Sequence, residues 1–267
     1  MNKHVDYFLA GLRVSLKNAI AYRANLLAEA LGTLLSVFAL FAFWSALYAN
    51  RAEVSGIDVN TMLLYTASST ILNMLLRIGT ESQIAGAIYS GNIAMNFLRP
   101  ISYPVTLLLD TLAQSLVNIL TFVLPYAGLT ALFFAFRAPP QLHISFAFFV
   151  SVAFSILLSF FYQLSFGFLV FWTMELIGIA SARKAIMALF SGSLIPLWFF
   201  PPVFLKIARC LPFQAMYHTP LSLFIGKLPG VEGWKAVGVQ GLWILGFMAF
   251  SLLIFRAAFR RVVVHGG

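Results

Sequence analysis

The chain has 267 residues, of which 61% are hydrophobic and only 9% are charged. An average soluble domain carries roughly 25% charged residues, so this composition excludes a protein whose whole surface faces water. The formal charge of +9 could suit nucleic acid, but excess Lys and Arg in a membrane protein records its topology. We therefore predict an integral membrane protein with no nucleic-acid partner.

The long apolar runs predict helices rather than strands. They are apolar on every face, whereas strands of a transmembrane barrel alternate in segments of about 10 residues. In hydrocarbon each backbone group must be bonded within its own segment, and a helix achieves this. The predicted fold class is all-α, with six transmembrane helices in a single domain over residues 1–267.

The amino-terminal residues predict an amphipathic helix over 5–22 that lies in the membrane interface. Apolar residues recur there at three- and four-residue spacing, and the charged residues avoid that stripe. The apolar stripe consists of Val5, Phe8, Leu9, Leu12, Leu16 and Ile20.

Six apolar segments predict the membrane spans. The first would rise about 35 Å as a helix, which is enough to cross a bilayer with some tilt. Pro125 predicts a kink or an end in the third span, and Gly192 and Pro196 interrupt the short fifth span. The predicted spans are 26–48, 62–78, 104–133, 144–172, 185–200 and 237–255.

Polar segments separate these spans. Residues 50–60 predict a turn, and 79–103 predicts a helix and turn in water because Gly and Pro interrupt it. Residues 175–184 predict a polar return between two spans. The segment 201–233, with five Pro and several charges, is amphipathic rather than spanning.

The distribution of Lys and Arg predicts the orientation. If the amino terminus is cytoplasmic, six crossings place both termini inside. Eleven Lys and Arg then lie in inner segments and six in outer ones, as expected because short inner loops carry the positive excess. The inner set is Lys3, Arg13, Lys17, Arg23, Arg77, Arg99, Arg183, Lys184, Arg256, Arg260 and Arg261.

Sequence motifs for chemistry are missing. The pair Gly226-Lys227 lacks the preceding glycine of a phosphate-binding loop. The four His residues are scattered without metal-ligand spacing, and the lone Cys210 excludes an internal disulfide framework. We expect no catalytic residue, no metal site and no cofactor on this chain.

Two carboxylates fall inside predicted spans, and such residues are functional candidates. Glu29 and Asp110 both lie near the cytoplasmic end of their span. Anchoring or helix pairing is the simpler interpretation, and the sequence leaves open whether they line a path. Interhelical hydrogen bonding is the simpler expectation for the amides in the spans, and substrate contact is the alternative. These amides are Asn73, Gln114, Asn118, Gln163 and Gln240.

Two ordered motifs carry a family resemblance. Residues 91–102 have the pattern Gly-x-Ile-x-x-x-Phe-Leu-Arg-Pro-Ile-Ser, and residues 191–197 have Ser-Gly-x-x-Ile-Pro-Leu. With Pro201, the run Leu211-Pro212-Phe213, Pro220 and Gly226, the chain resembles permease subunits of type-2 ATP-binding-cassette (ABC) exporters. The resemblance is to the branch containing daunorubicin- and viologen-exporter-like permeases.

That resemblance implies the transmembrane half of an ATP-driven efflux system in the cytoplasmic (inner) membrane. The cargo would be an amphipathic or hydrophobic substrate that leaves the cytoplasm or inner leaflet. Separate ABC ATPase subunits would bind ATP and Mg. The other partners would be membrane lipids and a second permease chain, identical or homologous, which forms a dimer.

The resemblance also implies two sites. A cytoplasmic coupling helix within 79–103 would dock on the ATPase, with Glu81 offered to an ATPase cation and apolar knobs filling its groove. The coupling residues would be Glu81, Ile84, Ile88, Tyr89, Gly91, Arg99 and Pro100. Short extracellular re-entrant helices within 201–233 would cap the path, and the gate residues would be Pro196, Pro201, Pro212, Phe213 and Pro220.

Two other classes remain open from the residues alone. A secondary transporter would need acidic residues at the membrane midplane, and Glu29 and Asp110 lie too near one face for that role. A non-transporting membrane scaffold would need no path at all. A neighbouring ATPase gene would favour the exporter over both.

Overall fold

A computed structural model describes residues 3–21, 23–98, 100–135 and 145–265, and these are mostly helical. Helix α8 lies at the centre and packs against α4, α11, α12 and α13. The helices are α1 (Lys3–Ala21), α2 (Arg23–Leu47), α3 (Val59–Leu75), α4 (Thr80–Tyr89), α5 (Ile93–Phe97), α6 (Tyr103–Asn118), α7 (Leu124–Ala135), α8 (Phe146–Thr173), α9 (Ile177–Phe190), α10 (Pro202–Arg209), α11 (Phe213–Met216), α12 (His218–Phe224) and α13 (Gly230–His265).

Four helical segments of the described chain are long and apolar enough to cross a membrane. They are Leu27–Leu47, Tyr103–Leu132, Phe146–Thr173 and Gly230–Arg260. The chain is therefore a multi-pass membrane protein. The second and fifth predicted spans correspond to α3 and α9, which have only 17 and 14 residues. Since a span needs about 20 residues, the count of six crossings stays a prediction.

The polar turn after α2 folds as a hairpin, which the all-α prediction did not include. Strands β1 (Glu53–Val54) and β2 (Ile57–Asp58) pair antiparallel. The hairpin turn consists of Ser55 and Gly56, which both have positive φ, as a type I′ turn requires. Asp58 then caps α3, since its carboxylate accepts from the backbone N–H of Asn60 at 3.0 Å. With this cap, α3 begins at Val59, three residues before the predicted start of the second span at residue 62.

Pro125 changes the winding of the third predicted span without ending it. A π-helical stretch, Ile119–Val123, precedes it, and the Leu124 N–H donates to the Ile119 carbonyl. Because proline has no N–H, one carbonyl of the preceding turn loses its partner, and the wider turn accommodates this loss. Helix α7 continues to Ala135.

The fifth predicted span, 185–200, is interrupted in the structure at Gly192 and Pro196. Helix α9 begins at Ile177, within the predicted polar return, and ends at Phe190. Gly192 follows with φ +79°, a conformation that a residue with a side chain rarely adopts. A three-residue 3₁₀ turn, Leu197–Phe199, then leads to α10. The last helix, α13, begins at Gly230 rather than at 237 and has 36 residues.

Candidate coupling surface and polar cavity

Helix α4 has one buried face and one exposed face. Glu81 and Ile84 are 5% and 0% exposed, whereas Tyr89 is 52% exposed. Ser82, Gln83 and Gly86 share the exposed face with Tyr89. The expectation that α4 presents Glu81 and Ile84 to a partner is therefore corrected, because both side chains pack inside the bundle.

A glycine on α8 brings α4 into close contact. A methyl group at Gly167 would lie 2.7 Å from Ile84 Cδ1 and 3.1 Å from Glu81 Cα. Real Cβ atoms do not approach so closely, so a side chain at this position would force α4 away. The neighbouring core contains Phe168 and Ala258, both fully buried. Helix α4 is thus packed directly on α8, and its buried side chains share a core cluster with α13.

A buried ion pair joins α4 to α9. Arg183 Nη2 donates to Glu81 Oε1 at 2.5 Å, and the side chains are 8% and 7% exposed. The guanidinium carbon also lies 5.6 Å from the centre of the Tyr162 ring on α8. A buried charge is tolerated only when it is paired, which explains how α9 carries Arg183 into the bundle. Sequence reasoning missed this pair, since it placed Arg183 in a polar return.

Helix α6 holds the junction between α3 and α4. Asn118 Nδ2 donates to the carbonyls of Met74 and Arg77, each at 3.2 Å. These carbonyls lie at the end of α3, where a helix leaves its last acceptors unsatisfied. The hydroxyls of Thr80 and Thr111 hydrogen-bond at 3.2 Å. The predicted interhelical role of Asn118 is confirmed.

The chain after α4 turns where the sequence predicted. Gly91 has φ +72°, and α5 follows with Ile93 buried. Met95 and Leu98 are 71% and 85% exposed, so the segment after α4 also has exposed apolar side chains. Arg99 lies outside the described residues. Pro100 is exposed and precedes α6, and Ile88 is half-buried.

A polar cavity of about 440 Å³ opens beside the Glu81–Arg183 pair. It lies between the end of α3 and helices α4, α8 and α9. At another wall, Tyr217 donates its hydroxyl to Asn73 Oδ1 at 2.9 Å. Polar lining residues include Asn73, Glu81, Gln163, Arg183, Lys184 and Tyr217.

The segment after α9 is fixed to α3 by hydrogen bonds. Tyr65 donates its hydroxyl to the Gly192 carbonyl at 2.8 Å, and Ser69 Oγ donates to the Ser193 carbonyl at 2.6 Å. A methyl group at Gly192 would lie 3.3 Å from Leu197, His218 and the Tyr65 hydroxyl. The break after α9 is therefore a tightly packed feature of the fold.

The residues predicted to form an outer gate lie at helix starts and in the core. Pro196, Pro201 and Pro212 directly precede the 3₁₀ turn, α10 and α11, where the missing N–H costs nothing. Phe213 is buried and makes an edge contact with Tyr162, with ring centres 5.7 Å apart. Pro220 lies buried in α12. The structure places these residues around α10–α12, and their gating role stays a prediction.

Gln240 fixes this segment to α8 and α13. Its amide is fully buried and accepts from Ser151 Oγ at 2.8 Å. The same amide donates to the Ala215 carbonyl at 2.6 Å and to Ser155 Oγ at 3.3 Å. Three helices therefore meet at one side chain, and the interhelical interpretation of Gln240 is confirmed.

The two carboxylates predicted inside spans both have partners. Glu29 on α2 forms an ion pair with Arg77, beyond the end of α3. Asp110 Oδ2 on α6 accepts from the Tyr7 hydroxyl of α1 at 3.3 Å. Each carboxylate therefore links its helix to another part of the bundle, and α1 packs along α6.

Comparisons with known proteins identify the family. A family model described as "ABC-2 family transporter protein" matches residues 34–266. The match concerns the family as a whole and does not select the daunorubicin- and viologen-exporter-like branch. A comparison with curated proteins finds no match. Since the family match covers most of the described transmembrane helices, the chain belongs to the ABC-2 family of transporter proteins.

Proposed function

We propose that this permease is the membrane-spanning half of an ATP-driven exporter, and that α4 is the helix on which its ATPase docks. Membership of the ABC-2 family implies association with an ATP-binding-cassette partner. The observation that carries the proposal is the two-faced α4, which is buried on one side and exposed on the other. A helix that transmits force needs an exposed face to contact the ATPase and a buried face to contact the transmembrane helices.

The buried face supports transmission of movement. Helix α4 contacts α6 through Thr80, α9 through Glu81 and α8 through Ile84. Displacing α4 therefore requires these helices to move with it. ATP drives such a change when it binds one conformational state more tightly than the other. In this proposal the partner subunit hydrolyses ATP, and this chain changes conformation in response.

The exposed face supplies the docking surface in this proposal. It consists of Ser82, Gln83, Gly86 and Tyr89 of α4, and we include the exposed Met95 and Leu98 of the segment that follows. Aromatic and Met side chains are enriched at protein interfaces. This set replaces Glu81 and Ile84 of the sequence prediction and retains Tyr89.

The remaining parts of the proposal follow the family architecture. Both termini and α4 lie on the cytoplasmic side of the inner membrane, and the segment α10–α12 caps the path on the outer side. Two permease chains pair with the path between them.

The experiment is co-purification of the ATPase with variants of the tagged permease in mild detergent. Tyr89→Asp places a charge at the centre of the docking surface and should release the ATPase. Because Tyr89 is 52% exposed, the variant should keep the fold and stay in the membrane.

Trp234→Asp is the matched control. Trp234 is 48% exposed but lies near the start of α13, about 30 Å along the helix from the Phe255 that packs beside α4. This variant should retain the ATPase fully. Full retention by Tyr89→Asp, or equal loss in both variants, would contradict docking on α4.

A further inference from the structure

We propose that the polar cavity binds the headgroup of an anionic, lipid-like amphiphile that carries both a phosphate and hydroxyl groups. The cavity has a volume of about 440 Å³ and opens beside α4 and α9. The proposal rests on the proposed function only for the idea that this ligand is cargo. Binding itself does not require the ATPase.

Three buried polar atoms of the cavity lining are left without hydrogen-bond partners among the described residues. They are Gln163 Oε1, Glu81 Oε2 and Arg183 Nε. Their residues are 3%, 5% and 8% exposed. Each of these atoms has almost no accessible surface, so its side chain must turn toward the cavity to reach an occupant. Such a turn would relieve the cost of an unsatisfied buried polar group, about 1–3 kcal/mol, and a polar occupant favours it.

The charges of the lining favour an anion. Arg77, Arg183 and Lys184 face one carboxylate, Glu81, so the lining has a formal excess of two positive charges (three minus one). Glu29 offsets Arg77 from outside the cavity. Lys184, which is exposed, forms no ion pair within the described part of the chain. An anionic group is attracted to this site, and a permanently cationic molecule is repelled.

The free donors and acceptors define the headgroup more closely. Arg183 Nε and the Lys184 ammonium can only donate, as phosphate oxygens require. Gln163 Oε1 and the Glu81 carboxylate can only accept, so hydroxyl groups on the same ligand would suit them as donors. A phosphate ester of a polyol, such as phosphoglycerol, satisfies both sets.

Apolar side chains at the cavity favour an amphiphile over a soluble phosphate ester. Leu76, Ile78 and Met187 line the same space. A hydrocarbon chain attached to the headgroup would cover their surfaces. The cavity would therefore hold the polar end of a lipid while the chain remains among the helices.

The test measures lipid binding to the purified permease without ATPase. Short-chain phosphatidylglycerol is titrated against phosphatidylcholine, and the first should bind about tenfold more tightly, as one added charge-assisted contact provides. Lys184→Gln and Gln163→Leu should each weaken phosphatidylglycerol binding about tenfold. Lys206→Gln, an exposed cation on α10, is the control and should bind like the unaltered chain.

Equal affinity for the two lipids would overturn the proposal, as would equal weakening by Lys184→Gln and Lys206→Gln. Free glycerol phosphate is the last arm. If it displaces the lipid at a similar concentration, the ligand is a soluble phosphorylated polyol and the lipid assignment is wrong. Since no ATPase is present, failure here leaves docking on α4 intact, and failure of docking leaves this result intact.

Discussion

Removing one member of the Glu81–Arg183 pair should destabilise the bundle severely. In Glu81→Ala, Arg183 keeps its place over the Tyr162 ring but loses its only ion-pair partner among the described residues. Leaving a buried charge without its partner costs about 3–5 kcal/mol. Because the pair borders a cavity that water can enter, we expect about 3 kcal/mol, near the lower limit.

The measurement is the free energy of unfolding, from titration with sodium dodecyl sulfate in mixed micelles. Glu81→Ala and Arg183→Ala should each lose about 3 kcal/mol. The double variant should lose about as much as either single variant, since coupled residues are non-additive by about 0.5–3 kcal/mol. Glu53→Ala, an exposed carboxylate on β1, should change stability by less than about 0.5 kcal/mol. If the single losses add in the double variant, the two side chains do not act as a buried pair.

Three further predictions concern packing and orientation. Gly167→Ala should lower the free energy of unfolding by about 1–3 kcal/mol, because the added methyl group would overlap α4. The control is Gly246→Ala, where the methyl group meets open space, and it should leave that free energy unchanged or raise it by up to about 1 kcal/mol. Equal effects of the two substitutions would contradict close packing of α4 on α8. Gln240→Leu should lower the free energy of unfolding by about 1–3 kcal/mol, because it leaves buried polar groups without hydrogen-bond partners. An unchanged free energy would show that the amide does not connect α8, α11 and α13. A cysteine replacing Asn50 should be labelled from outside and one replacing Asn92 from inside, and outside labelling at 92 would overturn the topology.

Local patterns in the sequence predicted much of the helical layout. The long apolar runs gave helices at the first, third, fourth and last predicted spans, because backbone groups in hydrocarbon must bond within their own segment. Gly91 was predicted to turn the chain and has φ +72°. Each of these features depends on residues close together in the chain.

Features that depend on distant residues escaped the sequence analysis. Glu81 and Arg183 are 102 positions apart, so no local pattern showed that they would pair. Without that pair, Arg183 indicated a polar return, whereas the structure has α9 beginning at Ile177. The contact of Gly167 with α4 is equally nonlocal. The β1–β2 hairpin did have a local signal, the Ser55-Gly56 pair between apolar residues, but the segment was interpreted as a simple polar turn.

The central claim is that the exposed face of α4 touches the ATPase, and site-specific photocrosslinking tests it most directly. Benzoylphenylalanine replaces Tyr89 in one variant and Trp234 in another, two aromatic positions of similar exposure. The account predicts a light-dependent crosslink between position 89 and an ATP-binding-cassette subunit, and none from position 234. No crosslink from position 89 in a complex that contains the ATPase, or equal crosslinking from both positions, would contradict it.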